Sequence, residues 1–138
     1  RGLYTFFKRT SPHPNLITFD CPDSNVTCVK RTRSNTPLAA LATLNNEVFV
    51  EAAKALAKKL VKEKSTDEAR IALSFKICLA REPSGNESAE LINLLKQART
   101  YYATHALEAK DFNGNVEASA WAATVRVILN LDEFITRE

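Results

Sequence analysis

Backbone breakers are distributed very unevenly in this chain. Four of the five prolines (Pro12, Pro14, Pro22 and Pro37) precede residue 38, and beyond it only Pro83, Gly85 and Gly114 interrupt the chain. A β-sandwich or barrel needs turn residues every ten or so positions, so the composition of the second part argues against one and for helices. At 138 residues the chain is the size of one domain. Its 45% apolar content, with seven Phe and one Trp, is enough for a core. We therefore expect an all-α fold, a bundle of four to five helices with an irregular N-terminal arm. The expected organisation is a single helical domain over 1–138, arm 1–35 and body 36–138. With Arg1 in first place, the sequence reads as a C-terminal fragment of a larger protein. No stretch reads as a membrane span, and none on this piece as a signal peptide.

Charge follows the same division. Residues 1–35 carry Arg1, Lys8, Arg9, Lys30, Arg31 and Arg33 against Asp20 and Asp23, a net +4, whereas 36–138 carry 13 basic and 14 acidic residues, a net −1. The arm is also rich in rings (Tyr4, Phe6, Phe7, Phe19) and shows no sustained helical repeat. Ser11-Pro12-His13-Pro14 demands extended backbone before each proline. Phe6, Phe7 and Phe19 are expected to insert along the helical body.

Thr36 before Pro37 predicts an N-cap followed by a first-turn proline. Leu38, Leu41 and Leu44, then Val48, Phe49, Ala52, Ala53, Leu56, Leu60 and Val61, recur at three-and-four spacing as one apolar face. Asn45-Asn46 should break this run into a short and a longer helix. Ser65-Thr66-Asp67-Glu68 and Ser84-Gly85-Asn86-Glu87 both have the form of a capping box. Between them, Ala69–Arg81 is apolar nearly all round and is expected to be the central helix, with Cys78 as a buried small hydrophobe. Helices are further expected to about His105, with an extension over 106–112, and from about Val116 to Asn130 after the Asn113-Gly114-Asn115 turn. In the latter, Ala118, Trp121, Ala122, Val125, Ile128 and Leu129 form one stripe, and Phe134 folds back onto the core.

Chemistry is sparse. His13 and His105 have no partner at triad or metal spacing, and phosphate-loop, serine-hydrolase and zinc-protease motifs are absent. Asp132 and Glu133 are adjacent, so on a helix they diverge rather than face each other. Cys21 and Cys28 have the wrong spacing for a zinc knuckle and a comfortable one for a disulfide closing a small loop, worth about 2 kcal/mol if formed. A metal site from His13, Asp20, Cys21 and Cys28 is the lesser alternative. Lys30, Arg31 and Arg33 near Phe19 and Tyr4 have the residue types of a nucleic-acid site, but the charge falls short of a binder's footprint, so no nucleic acid is expected. Cys-x-x-Cys-His is absent and there is no Met, so no haem or other cofactor is expected in this fragment.

Several blocks carry a family likeness: Leu3-Tyr4-Thr5-Phe6-Phe7-Lys8-Arg9-Thr10, Phe19-Asp20-Cys21-Pro22-Asp23, Asn35-Thr36-Pro37-Leu38 through Leu44-Asn45-Asn46, Arg81-Glu82-Pro83, and Leu129-Asn130-Leu131-Asp132-Glu133-Phe134. In order, over essentially the whole chain, they resemble the C-terminal part of a planctomycete domain of unknown function, number 1553. The chain departs from that pattern at Phe7, Ser24 and Ala39, where the family usually has Trp, Arg and Gln. The resemblance implies an exported protein, periplasmic or on the cell surface, often with a c-type cytochrome domain upstream, and supplies no catalytic residues. In such a setting oxidation of Cys21 and Cys28 is permissible.

The expected function is a non-catalytic structural or interaction module docking on upstream domains of the same polypeptide, with Arg9, Lys30, Arg31 and Arg33 as its contact surface. The alternative is part of an envelope enzyme whose active site lies mainly upstream, with Arg9, Asp20 or Asp132 contributing.

Overall fold

The structure, a computed structural model, describes residues 4, 6–22, 25–30, 34, 36–63 and 66–136. Among them there are eight helices and no strand, so the fold is all-α. The chain divides into two compact units, residues 1–42 and 43–138. The division falls past residue 35, where the arm was expected to end.

In the first unit His13 is extended, as expected of the residue before a proline, and Pro14 opens a short helix, α1 (Pro14–Thr18). Proline has its φ set for a helix start and no N–H to lose there. His13 caps the helix, its Nδ1 accepting from the Asn15 N–H at 3.2 Å. Asp20 follows in the left-handed region, φ 54°, which Asp tolerates better than most residues. Its carboxylate accepts from the Ser34 N–H (2.7 Å) and hydroxyl (2.9 Å), closing the segment that carries Cys21, Cys28 and Lys30. Thr36 then caps α2 (Pro37–Asn45), accepting from the Ala39 N–H at 3.1 Å, as the Thr-Pro pair predicts.

Two expectations for this region are corrected. Phe6 is not buried: it is 83% exposed, while Phe7 and Phe19 are half-buried. On α2 the buried residues are Ala39 and Thr43, leaving Leu38 and Leu41 exposed at 61% and 56%. Spacing alone cannot say which flank of a short, nearly all-apolar helix faces inward.

The second unit is built from five helices of eight or more residues, α3 (Glu47–Glu63), α4 (Asp67–Leu79), α5 (Gly85–Thr104), α6 (Ala106–Asn113) and α7 (Val116–Ile128), followed by a short α8 (Asp132–Ile135). Asn46 separates α2 from α3 and caps the latter's first turn through its Oδ1, which accepts from the Val48 N–H. The box at Ser84 forms as expected: its hydroxyl accepts from the Glu87 N–H, and Glu87 accepts from the Ser84 N–H at 2.7 Å. The first box does not. Thr66 is the cap, so the third helical position falls on Ala69, which has no side chain to reach back; Ser65 lies outside the described residues.

The central helix is α7, not α4. It packs on α3, α4, α5 and α6, and Ala118, Ser119, Ala120, Trp121, Ala122, Thr124, Val125 and Ile128 are all buried. Size outweighs greasiness here: small side chains let neighbouring helices approach from several sides, and α3, which packs on α7, also buries Ala53 and Ala57. The hydroxyls buried with them are satisfied, Ser119 donating to the Ala109 carbonyl and Thr124 to that of Ala120. On α4 the buried set is Ile71, Ser74, Phe75 and Cys78, while Ile77 is exposed. Phe134 packs at the margin of the core.

Candidate functional site

Within the second unit two clusters of charge tie the helices together. In the first, Arg99 of α5 reaches Asp67 at the start of α4 (2.6 and 2.8 Å) and Glu117 at the start of α7 (2.9 and 2.6 Å). Arg70, largely buried, bridges the same two carboxylates at 3.3 and 3.2 Å. The indole N–H of buried Trp121 also donates to Glu117, at 3.0 Å. Bonding to Arg99 holds both carboxyls below their ordinary range, against the opposing effect of burial. Each carboxylate also sits in the first turn of its helix, where the helix dipole favours it.

The second cluster centres on Arg81, just past α4. Its guanidinium is bidentate to Glu133 of α8 (2.9 and 2.7 Å) and bidentate to Glu87 of α5 (2.9 and 2.7 Å), and lies over the Phe75 ring. Such fork-on-fork pairs are the strongest charged hydrogen bonds side chains make. With the Ser84 N–H added, Glu87 is held down at a pKa of about 2; Glu133 is lowered by Arg81 as well.

Beside this cluster runs a cleft of about 640 Å³ between the last turn of α4 and α8, lined by Ile77, Cys78, Leu79, Ala80, Asp132, Glu133 and Thr136. Burial pushes the Cys78 thiol up, away from the reactive thiolate. Asp132 accepts the Thr136 hydroxyl through its carbonyl (2.9 Å) and Oδ1 (3.0 Å).

Of the blocks that carry the family likeness, the last three contribute residues that meet in this unit. Arg81 of one pairs with Glu133 of another, 52 residues on. Thr43 and Asn130 share a short hydrogen bond, and the Leu44 carbonyl accepts from Arg126. Against family models the chain matches one described as a protein of unknown function (DUF1553), over residues 1–95. The chain belongs to this family. No curated protein and no solved structure matches it. The family match ends at residue 95, so the block 129–134 lies beyond it.

Of the residues singled out for contact, Arg9 and Lys30 are exposed, and Arg31 and Arg33 lie outside the described residues. Cys21 and Cys28, the disulfide candidates, are free thiols here, each directed at a backbone carbonyl, Cys21 at that of Pro22 (3.7 Å) and Cys28 at that of Lys30 (3.4 Å). His13 and Asp20, the other members of the alternative metal set, are engaged as a helix cap and with Ser34.

Large apolar side chains left in water are concentrated in this family member's first unit. Tyr4 (85%), Phe6, Ile17, Val26, Val29, Leu38 and Leu41 are seven of the twelve exposed ones among the described residues. The arginine clusters and the cleft were missed in the sequence. Apart from the Arg70–Asp67 and Arg81–Glu87 pairs, three and six positions apart, their partners stand 18 to 52 residues apart, at no spacing a motif records; only the Ser84–Glu87 capping box hinted that Glu87 was engaged.

Proposed function

We propose that the chain is a non-catalytic helical interaction module of a larger exported protein, in the periplasm or on the cell surface. Its first unit docks on an upstream domain of the same polypeptide, in some family members a c-type cytochrome. The observation that carries this reading is the exposure of Tyr4 and Phe6 together with five aliphatic side chains in one unit, next to the exposed cations Lys8, Arg9 and Lys30. Exposed apolar groups gathered in this way mark contact surfaces, and the positive charge beside them selects an acidic partner surface. In the second unit the arginines and carboxylates of both clusters are engaged in holding helices together, which fits a structural role.

Hydrogen exchange on the intact parent protein tests the reading. Amides of residues 6–30 should exchange more slowly in the parent than in the 138-residue chain alone, and the protection should disappear in a Tyr4→Ser, Phe6→Ser parent. Equal exchange in parent and isolated chain would remove the docking surface.

The cleft favours a second reading, in which the chain contributes to an envelope enzyme. Asp132 lines it, whereas Asp20 is taken up by Ser34. Loss of turnover in an Asp132→Asn parent that keeps its fold would favour this reading over docking.

A further inference from the structure

We propose that Asn113-Gly114, at the corner between α6 and α7, is a site of spontaneous deamidation that the fold keeps closed: it converts to aspartate or isoaspartate only when that corner opens, and once converted it does not close again. The inference stands on this corner alone and does not depend on docking by the first unit.

The reaction needs no enzyme and no cofactor, only a backbone nitrogen able to attack the side-chain amide that precedes it. Here the Gly114 nitrogen gives up its proton and bonds to Asn113 Cγ, the Cγ–Nδ2 bond breaks, and ammonia leaves. Water then opens the cyclic imide at either carbonyl, giving aspartate or, with the backbone rerouted through Cγ, isoaspartate. A side chain on the attacking residue hinders ring closure, and Asn113 is the one asparagine of the sequence followed by glycine. Gly114 itself is exposed, and even an added Cβ would meet nothing within 4 Å, so water has access to the corner.

The fold withholds both reacting groups. The Gly114 N–H donates to the Lys110 carbonyl at 3.0 Å. Asn113 is buried, and its Nδ2 donates to the Ala118 carbonyl at 2.9 Å. Beside them Ser119 pins α7 to α6, its hydroxyl donating to the Ala109 carbonyl at 2.7 Å. Attack therefore requires a local opening in which the bonds of Gly114 and Asn113 are both broken.

Conversion then prevents closing. A carboxylate has no proton to give the Ala118 carbonyl and sets oxygen against oxygen. No donor among the described residues reaches Asn113 Oδ1, so the new charge would be buried there without compensation. In isoaspartate the backbone is longer by a carbon atom, and the Gly114 N–H falls out of step with the Lys110 carbonyl.

The test follows deamidation of the 138-residue chain at neutral pH by peptide mapping with mass spectrometry, folded and in urea that unfolds it. In urea Asn113 should convert faster than every other asparagine, and in the folded chain at least about tenfold more slowly than in urea. Ser119→Ala should raise conversion in the folded chain about threefold to tenfold and leave the rate in urea unchanged. Should that variant lose its fold, urea below the unfolding transition replaces it: exchange of the Gly114 amide and conversion of Asn113 in the unaltered chain must rise together. An Asn113→Asp chain should exchange the Gly114 amide at least about tenfold faster than the unaltered one. Equal conversion in folded and unfolded chain, slower conversion at Asn113 than at another asparagine in urea, conversion that does not follow Gly114 exchange, or an Asn113→Asp chain with unchanged Gly114 exchange would overturn the proposal.

Discussion

The two units of this chain are held by interactions of different range. In residues 1–42 the side-chain hydrogen bonds described span one to 14 positions, as in the His13 cap, the Asp20–Ser34 clasp and the Thr36 cap. In residues 43–138 they reach 47 positions between Arg70 and Glu117 and 87 between Thr43 and Asn130. Exposure follows the same division. Trp121, Phe75, Leu60 and Ile71 of the second unit are fully buried, whereas Tyr4 and Phe6 of the first lie in water. Long-range closure excludes water cooperatively, because each helix buries the face of another; local closure shapes a segment without covering it.

The largest effect that could break this comparison is expected at Trp121→Ala. The variant removes a fully buried indole from the helix on which the others pack and takes a donor from Glu117. Denaturant unfolding followed by circular dichroism should show a loss of roughly 3–5 kcal/mol. A loss below about 1 kcal/mol would mean that α7 is not the centre of the core.

Next comes Arg99→Met, which leaves Asp67 with Arg70, and Glu117 with Arg70 and the Trp121 indole. Because these groups are part-exposed and screened by solvent, about 1–2 kcal/mol is expected from the same measurement. The loss should shrink at high salt.

Acid sharpens the contrast further. Asp67, Glu87 and Glu117 have folded-state pKa values below their ordinary ones, Glu87 at about 2. Their contribution to stability is fully present above the ordinary carboxyl range and is lost as pH falls through the folded values. Thermal unfolding should therefore change little for this reason between pH 6 and 8 and decline from about pH 4.5 toward pH 2. In Arg81→Met the part of that decline due to Glu133 should disappear and the part due to Glu87 should shrink to what the Ser84 N–H supplies. An identical acid profile in this variant would detach the Arg81 pairs from stability.

The smallest effect is expected at Phe6→Ala, within about 0.5 kcal/mol in unfolding of the isolated chain, because the ring is already solvated. A larger loss would show that the first unit depends on Phe6 for its fold.

Much of the helical framework was legible because its signals are local. Thr36-Pro37, the Ser84–Glu87 box, the Asn45-Asn46 break and the Asn113-Gly114-Asn115 turn each lie within four residues, the reach of one helical turn, and each marks a helix end where the structure has one. Gly114, at φ 92°, shows why the turn after α6 requires glycine. The candidate site was legible only in fragments. Asp132 and Glu133 were weighed for their carboxylates and Arg81 only as part of a family block, and Arg81 and Glu133 stand 52 positions apart.

The identity of α7 as the central helix was hidden for a related reason. Hydrophobicity scales reward Ile71, Leu73 and Phe75 of α4, whereas close approach on several sides depends on Ala118, Ser119, Ala120 and Ala122 being small. Composition and spacing by themselves determined that the chain is helical, where most helices start and stop, and that an aromatic, basic leader precedes them, because backbone propensity and capping act over a few residues. Which faces are covered, which carboxylates share an arginine, and where a cleft remains open were decided only in the tertiary structure, because these properties belong to pairs of segments whose meeting depends on how the whole second unit packs.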